Sequence, residues 1–297
     1  PPAPRAHAPR AAAPRRAMRS HGFERPFHPL QVVSWVVFGV DALVFAAFLV
    51  PLTEPLPAQV AAALCYACAV AVLVSATVQA TRCDPADPRV LPACRRKEEV
   101  DDGEDEMSMP YCQICDVVVN VRSKHCRACE KCVDVFDHHC MWLNNCIGRA
   151  NYRAFFVTIC AAAAMVGIIL AACLRLLVDL LLDEEAFLRR LRAVAVGELA
   201  PFEGFGKGLC LALLLAVAVL NGPFFLLDAQ LVVLHCALMA QGLTTYDYIM
   251  GKREKQEERA AEDAGRPGAH GKAGGPRRRR VRALPRCLDW IVLCRCG

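Results

Sequence analysis

A dense group of cysteine and histidine residues occupies positions 112–146 and supplies side chains that could bind metal ions or act as nucleophiles. Seven of the eighteen cysteines and three of the eight histidines fall within these 35 residues. Two thiolates separated by two residues can hold one tetrahedral zinc ion from a tight turn. The pairs Cys112/Cys115 and Cys126/Cys129 have this spacing. They predict zinc binding by most of the candidates: Cys112, Cys115, His125, Cys126, Cys129, Cys132, His138, His139, Cys140 and Cys146.

The number of candidate ligands leaves room for a second kind of chemistry. A structural zinc site is almost always closed at four ligands, so two sites would use eight of the ten residues. The run Asp137-His138-His139-Cys140 places an acid, an imidazole and a thiol within four positions, and these are the parts of an activated cysteine nucleophile. Spacing alone does not identify the two spare residues; we interpret them as His138 and Cys140.

Two alternative functions involve zinc without a nucleophilic cysteine. In one, all ten residues bind zinc or pack around it, and the segment is a recognition finger without enzymatic activity. In the other, the segment is a RING-type ubiquitin ligase domain, which binds two zinc ions through interleaved ligands. The cysteine spacings and the continuous Asp-His-His-Cys run fit a RING domain poorly.

Apolar and charged residues are separated along the chain of 297 residues. Hydrophobic residues make up 55% of it and the mean hydropathy is +0.29, although 22% of the residues are charged. Four segments are long and apolar enough to cross a hydrocarbon core of about 30 Å as helices, approximately 31–51, 58–80, 154–182 and 208–240. This composition excludes a disordered chain and a small secreted disulfide scaffold, and the net charge of +5 argues against a nucleic acid partner.

Positive charges predict the orientation of these spans. Residues 81–153 hold eleven Lys and Arg residues and the tail from Gly251 onward holds thirteen, whereas residues 52–57 hold none. The positive-inside rule then places both termini and the central segment in the cytosol. We predict an all-α polytopic membrane protein with four transmembrane helices and a cytosolic cysteine-rich zinc-binding domain between spans two and three.

This organisation divides the chain into five parts. We predict a disordered basic arm at 1–30, a hairpin of spans one and two at 31–82, a cytosolic linker and zinc domain at 83–153, spans three and four at 154–242, and a cytosolic tail, basic near its end, at 243–297. Within the spans, Arg175 and Asp179 should pair on one helix face, and Pro223 should kink the fourth span. Asp41, Asp228 and His235 should face the bundle interior or lie near an interface.

The cysteine-rich segment resembles that of the DHHC family of protein S-acyltransferases, the palmitoyltransferases. The resemblance rests on one pattern, in which every spaced position is filled: Cys112-x2-Cys115-x9-His125-Cys126-x2-Cys129-x2-Cys132-x4-Asp137-His138-His139-Cys140-x5-Cys146-x4-Asn151-x3-Phe155. The layout of four spans also matches that family, so the resemblance covers roughly residues 30–250.

The resemblance implies two structural zinc ions and a catalytic triad. The ligands would be Cys112, Cys115, His125 and Cys132 on one ion, and Cys126, Cys129, His139 and Cys146 on the other. Cys140 would be the acylated nucleophile, His138 its base, and Asp137 the residue that orients His138. The enzyme would move a long-chain acyl group such as palmitoyl from acyl-CoA to cytosolic cysteines of membrane-associated proteins. It would lie in the lipid bilayer of the endoplasmic reticulum or Golgi rather than the plasma membrane, with a cytosolic active site.

Three departures from the family pattern keep an alternative function open. Asp84-Pro85-Ala86 lacks the glycine of the family's Asp-Pro-Gly, Met141 follows the nucleophile in place of a proline, and Thr244-Thr245-Tyr246-Asp247 has a shorter acid than Thr-Thr-x-Glu. The alternative is a catalytically weak, zinc-stabilised membrane adaptor or scaffold. The residues predicted to support the site are Thr244, Thr245, Asp247 and Asn151.

Other side chains around the site have two possible roles each. Arg122, Lys124, Arg127 and Lys131 are expected to offset the negative charge of the zinc thiolates, with contact to CoA phosphates as the alternative. Trp142 and Leu143 could enter the lipid headgroup region or pack inside the zinc domain. The candidates for self-acylation, which are otherwise unmodified thiols, are Cys83, Cys287, Cys294 and Cys296.

Overall fold

The structure is a computed structural model that describes residues 17–91, 109–196 and 206–263. Residues 92–108 of the predicted cytosolic linker and the three C-terminal cysteines named as self-acylation candidates lie outside the described residues. Four helices are long and apolar enough to cross a membrane: Pro29–Leu52, Leu56–Arg82, Tyr152–Leu182 and Lys207–Gln241. They confirm the predicted fold class, because the cysteine-rich clusters lie between the second and third of them.

The helices follow the apolar segments closely. The first span comprises α1 (Pro29–Val44), a π-helical turn (Phe45–Leu49) and the short α2 (Val50–Leu52). The second, third and fourth spans are α3 (Leu56–Arg82), α4 (Tyr152–Leu182) and α6 (Lys207–Gln241), while the shorter α5 (Glu184–Val196) and α7 (Thr245–Asp263) follow the third and fourth. Gly242 ends α6 with a left-handed conformation at φ 65°, which glycine adopts without a steric penalty.

The third span is the centre of the bundle. It packs against the second and fourth spans and is the most buried of the four. Its small residues Ala161 and Ala162 are buried, which lets neighbouring backbones approach closely in a membrane. Met165, Val166 and Ile169 continue this buried face and belong to an apolar core that all four spans share.

Two pairs of polar side chains lie inside the spans. The guanidinium Nε of Arg175 donates to Asp179 Oδ1 at 2.9 Å, which confirms the predicted pair on one helix face. Asn221 Nδ2 donates to Asp41 Oδ1 at 3.2 Å and joins the fourth span to the first, so Asp41 faces the bundle interior. Pro223 lies inside α6, which continues on both sides of it.

Three antiparallel hairpins form the segment between spans two and three. They are β1–β2 (Tyr111–Cys112 and Val117–Val118), β3–β4 (Lys124–Cys126 and Lys131–Val133) and β5–β6 (His138–Cys140 and Asn145–Ile147). The register places His125 opposite Cys132 and His139 opposite Cys146. Each of the last two hairpins therefore brings a histidine and a cysteine together across the strands.

Residues 1–16 of the predicted disordered arm at 1–30 lie outside the described residues, but the part directly before the first span makes defined contacts. Residues 18–28, which we call the N-terminal strap, lie against the end of the second span and the cysteine-rich segment. The Arg19 amide donates to the Cys129 carbonyl at 3.1 Å, and the Gly22 amide donates to the Thr81 carbonyl at 2.8 Å. Composition suggested a solvated arm, but these backbone hydrogen bonds do not depend on side-chain type.

Candidate active site

Two groups of side chains in the hairpins could each hold a metal ion. Within each group the ligand atoms, Sγ of the cysteines and a ring nitrogen of the histidine, lie within 4.8 Å of one another. The first group is Cys112, Cys115, His125 and Cys132, and the second is Cys126, Cys129, His139 and Cys146. These are the two sets of four that the family resemblance implied.

The spacing of the ligand atoms fits a tetrahedral metal. A tetrahedron with metal–sulfur bonds of about 2.3 Å has sulfur–sulfur edges of about 3.8 Å. The Sγ atoms of Cys115 and Cys132 are 3.7 Å apart, and those of Cys129 and Cys146 are 3.4 Å apart. The Nδ1 atom of His125 lies 3.3 Å from Cys115 Sγ. The residues present therefore suit two closed structural zinc sites.

The crowding of sulfur atoms also fits a bound cation. Hydrogen bonds from Cys129 and Cys146 lower the pKa of Cys126, whereas hydrogen bonding to Cys126 raises the pKa of Cys146. Thiol groups this close cannot all ionise on their own, because each thiolate opposes ionisation of the next. A divalent metal would supply the positive charge that lets all three bind as thiolates.

Cys140, His138 and Asp137 lie beside the second group but outside both sets of candidate ligands. The Nδ1 atom of His138 lies 2.6 Å from Asp137 Oδ2, a short charge-assisted hydrogen bond. With Nδ1 so engaged, Nε2 is the ring nitrogen left for other partners. Cys140 is buried at the end of β5, where it pairs with Asn145 across the hairpin. Cys140, His138 and Asp137 are thus arranged as a nucleophile, its base and an acid that orients the base.

The surroundings of Asp137 and His138 favour the charged form of each side chain. Burial by itself would raise the pKa of Asp137, but hydrogen bonds from His138 and from the Thr245 amide lower it below its usual value. Burial would lower the pKa of His138, but its interactions with Asp137 and with the Cys140 sulfur raise that pKa to about 9. The imidazole ring is therefore well able to hold a proton between the two acidic groups.

The Thr244–Asp247 motif contacts Asp137 directly. The Thr245 amide donates to Asp137 Oδ1 at 2.8 Å. Thr244 and Asp247 form a reciprocal cap at the start of α7: Asp247 N–H donates to Thr244 Oγ1 at 3.1 Å, and Thr244 N–H donates to Asp247 Oδ2 at 3.2 Å. Arg122 pairs with the same carboxylate at 2.8 Å. The shorter aspartate thus makes the cap that a glutamate would be expected to make.

Two asparagines fix the third hairpin to the second span. Asn151, which the pattern singled out, donates from Nδ2 to the carbonyls of Ala80 and Cys146 at 3.0 and 2.8 Å. Asn145, which sequence reasoning missed, donates to the carbonyls of Ala80, Thr81 and Cys83 at 2.9 to 3.2 Å. The carbonyls of Ala80, Thr81 and Cys83 lie at the end of α3, where backbone acceptors have no partner within the helix.

Three of the four predicted basic residues have partners within the protein. Lys131 is fully buried and pairs with Asp84, and its Nζ also donates to the Ser20 carbonyl at 3.3 Å. Arg122 pairs with Asp247, and Lys124 lies 5.7 Å from the ring centre of Tyr246. These contacts favour the structural role over contact with CoA phosphates. The departure at Ala86 is also accommodated, because Ala86 forms an antiparallel β-bridge with Val133. These two residues are each two positions along the chain from a member of the Lys131–Asp84 ion pair.

His235 of the fourth span lies close to the group and is buried in the bundle interior as predicted, although no chemistry was assigned to it. The Nδ1 atom of His235 is 2.9 Å from the Tyr152 hydroxyl oxygen. Phe155 lies between the two histidines, with its ring centre 5.1 Å from that of His138 and 5.0 Å from that of His235. An ionisable residue within an apolar span is the signal that could have directed attention to it.

Apolar side chains from three spans surround Cys140. Its cluster includes Ala80 of the second span and Phe155 and Ile159 of the third, and Leu231 of the fourth span packs against it. Leu143 is buried in the same cluster, so it packs within the protein. Trp142 remains exposed, with its ring 6.4 Å from that of Phe224 in the fourth span.

A four-span membrane protein with two Cys3His groups and a separate Asp-His-Cys arrangement belongs to the class of zinc-containing DHHC proteins. The family model for DHHC palmitoyltransferase matches residues 105–252. Mouse (Mus musculus) palmitoyltransferase ZDHHC1 is 37% identical over 269 residues, covering 80% of this chain and 52% of that protein. Mouse palmitoyltransferase ZDHHC11 is 31% identical over 269 residues, covering 82% of this chain and 74% of that protein.

Zebrafish (Danio rerio) palmitoyltransferase ZDHHC11 is 34% identical over 263 residues, which cover 80% of this chain and 58% of that protein. The chain belongs to the DHHC palmitoyltransferase family. It spans about half the length of the ZDHHC1 relative that it matches.

Proposed function

We propose that this protein is a protein-cysteine S-palmitoyltransferase, which carries a long-chain acyl group from acyl-CoA to protein cysteines as a thioester on Cys140. The observation that supports this most directly is the buried Asp137–His138 hydrogen bond of 2.6 Å next to Cys140, a thiol outside both metal-binding groups. Family membership supports the same chemistry, since the relatives are named palmitoyltransferases. The eight remaining cysteines and histidines of the segment are the proposed zinc ligands, and the zinc ions would stabilise the fold.

In the first step His138 accepts the proton of the Cys140 thiol, and the thiolate sulfur attacks the carbonyl carbon of the acyl-CoA thioester. The carbon–sulfur bond to CoA then breaks, and the CoA thiolate takes the proton from His138. Asp137 keeps the His138 ring in the tautomer and orientation that this transfer requires. One thioester replaces another, so the step needs no additional energy source.

In the second step the thiol of a substrate cysteine gives its proton to His138 and attacks the Cys140 thioester. The bond to Cys140 breaks and its sulfur recovers the proton, which restores the enzyme. The substrates are membrane-associated proteins whose cysteines reach the same side of the bilayer as Cys140. The positive charges of residues 81–153 support a cytosolic site, and we propose the endoplasmic reticulum or Golgi as the membrane.

The membrane bundle would solve the problem of holding the acyl chain. Burying a chain of about 16 carbons at about 0.8 kcal/mol per methylene contributes on the order of 10 kcal/mol. Cys140 packs among apolar side chains of the second, third and fourth spans, so an acyl group attached there would begin inside an apolar environment. This arrangement accounts for a nucleophile at the end of a bundle rather than in a separate soluble domain.

Labelling with a clickable palmitoyl-CoA analogue tests the proposal. Purified protein should take up label that hydroxylamine removes, and Cys140→Ser should abolish it. Cys160→Ser, in the third span outside the group, is the matched control and should keep the label. Equal labelling of Cys140→Ser and wild type, or no label in wild type with both metals bound, would favour the adaptor or scaffold alternative.

A further inference from the structure

The N-terminal strap contacts the turn that directly follows Cys140. Arg19 Nη1 donates to Asn144 Oδ1 at 2.8 Å, and Asn144 Nδ2 donates to the carbonyls of Gly22 and Pro26, each at 3.2 Å. Asn144 is buried and has a positive φ of 53°, a conformation that asparagine tolerates better than most residues. The turn from β5 to β6 is thus held by side-chain bonds in both directions between Asn144 and the strap.

Gln31 at the start of the first span joins the same contact. Its side chain is 1% exposed, and its Nε2 lies 3.2 Å from the Gly22 carbonyl and 3.4 Å from the Leu143 carbonyl. Gln31 therefore connects the first span both to the strap and to the backbone three residues beyond Cys140. Such buried polar contacts persist only where the surrounding packing fixes the geometry.

Gly22 marks the closest approach between the strap and this turn. A Cβ atom added at Gly22 would lie 2.0 Å from the Leu143 carbonyl oxygen and 2.8 Å from Thr81 Cγ2. The first of these atoms belongs to the backbone, so it cannot rotate away. Any side chain at position 22 would push the turn away from the strap and from the end of α3.

We infer that the strap, together with Gln31, positions the Cys140 turn against the membrane bundle and is required for efficient acyl transfer. This inference rests on the proposed function. Cys140 must present its sulfur both to His138 in its own hairpin and to the acyl chain among the spans. The Gly22–Thr81 hydrogen bond holds the strap to the second span, and Gln31 holds the turn directly to the first span. A displacement of about 1 Å at reacting atoms can cost on the order of 10²-fold in rate.

Gly22→Ala is the direct test, and Gly39→Ala is its matched control. Gly39 lies in the first span, and a Cβ atom there meets nothing within 4 Å. We expect Gly22→Ala to form the acyl-enzyme on the order of 10²-fold more slowly at saturating palmitoyl-CoA, with little change in the half-saturating concentration. Both variants should keep the wild-type metal content, a readout that separates positioning from loss of the fold.

A second variant tests the positioning role of the strap if Gly22→Ala does not fold. Arg19→Met keeps an unbranched apolar stem and removes the donors to Asn144 Oδ1 and to the Glu24 carbonyl, and Arg19→Lys restores a charged donor. Arg19→Met should be about tenfold slower than wild type, and Arg19→Lys should recover part of the rate. A folded Gly22→Ala that matches Gly39→Ala, or a folded Arg19→Met that matches wild type, would overturn the inference. Absence of acyl-enzyme in wild type would instead overturn the proposed function.

Discussion

Asp137 carries the contacts on which the candidate triad depends. Its two carboxylate oxygens accept hydrogen bonds from different elements, Oδ2 from His138 and Oδ1 from the Thr245 amide of α7. The spacing of the Asp-His-His-Cys run pointed to the acid, the imidazole and the thiol as a group. It did not reveal that α7 completes the environment of the acid, since that contact joins residues 108 positions apart.

Asp137→Asn is expected to slow acyl-enzyme formation on the order of 10²- to 10⁴-fold, because the neutral amide no longer stabilises a protonated His138 or selects its tautomer. The measurement is the single-turnover rate of label uptake from palmitoyl-CoA. Asp116→Asn, in the turn of the first hairpin at φ 59°, is the control and should retain the wild-type rate. An Asp137→Asn protein as fast as this control would exclude an orienting role for Asp137.

The residues that sequence reasoning found and missed differ in one physical respect. The proposed metal ligands and the proposed nucleophile could be predicted because coordination geometry and thiol chemistry require particular residue types at particular intervals. Tyr152 and Asn145 are ordinary residues by type and were not predicted, whereas His235 was expected only to face the bundle interior or lie near an interface. The contact of Tyr152 with His235 depends on how the third and fourth spans are rotated. That rotation is set by packing between apolar helices, which a single sequence does not specify.

The three hairpins are short elements that depend on the metal groups at their ends. Strands of two or three residues are too short for independent stability, so the bound metals would supply much of the free energy of folding of this segment. Ligands of the two groups alternate along the chain, with Cys126 of the second group directly following His125 of the first. Loss of one metal is therefore expected to disturb both groups.

Cys126→Ser is expected to reduce the zinc content of the purified protein from two ions per chain to one or fewer, since it replaces a thiolate in a closed site. Metal analysis after gel filtration measures this. Cys65→Ser, an exposed thiol on the second span, should retain both ions. Unchanged zinc in Cys126→Ser would contradict the proposed ligand assignment.

The start of α7 is the second element on which the site depends. The reciprocal cap between Thr244 and Asp247 and the ion pair with Arg122 fix the amide of Thr245 against Asp137. Asp247 reaches both Thr244 and Arg122, although its side chain is one methylene shorter than that of glutamate. The departure from the family motif therefore preserves the cap. The sequence does not specify these contacts, because they depend on the position of Arg122 in three dimensions.

Asp247→Ala should destabilise the protein by about 1–2 kcal/mol, since it removes the cap and leaves Arg122 without this partner. A lower thermal midpoint and slower acyl-enzyme formation are the expected results. Asp247→Glu keeps the charge and should stay closer to wild type on both measures. Equal stability of Asp247→Ala and wild type would contradict this account of α7.

At the scale of the whole molecule, the cysteine-rich segment is held by the membrane bundle on several sides. The second span is tied to it through Asn145 and Asn151, the first through Gln31, and the α7 helix after the fourth through Thr245. Span positions followed from hydrophobic length alone, because crossing the bilayer requires about 20 apolar residues. The docking of residues 18–28 did not follow, because a composition rich in Arg and Pro does not reveal which backbone groups meet a partner.

We propose that Cys140 carries the acyl group while both metal groups remain intact. Peptide mapping of protein loaded with palmitoyl-CoA, combined with zinc analysis of the same preparation, is the decisive measurement. We expect a hydroxylamine-sensitive acyl group on the peptide containing Cys140, with two zinc ions still bound per chain. Acylation elsewhere with Cys140 unmodified, or release of a zinc ion as Cys140 becomes acylated, would contradict it.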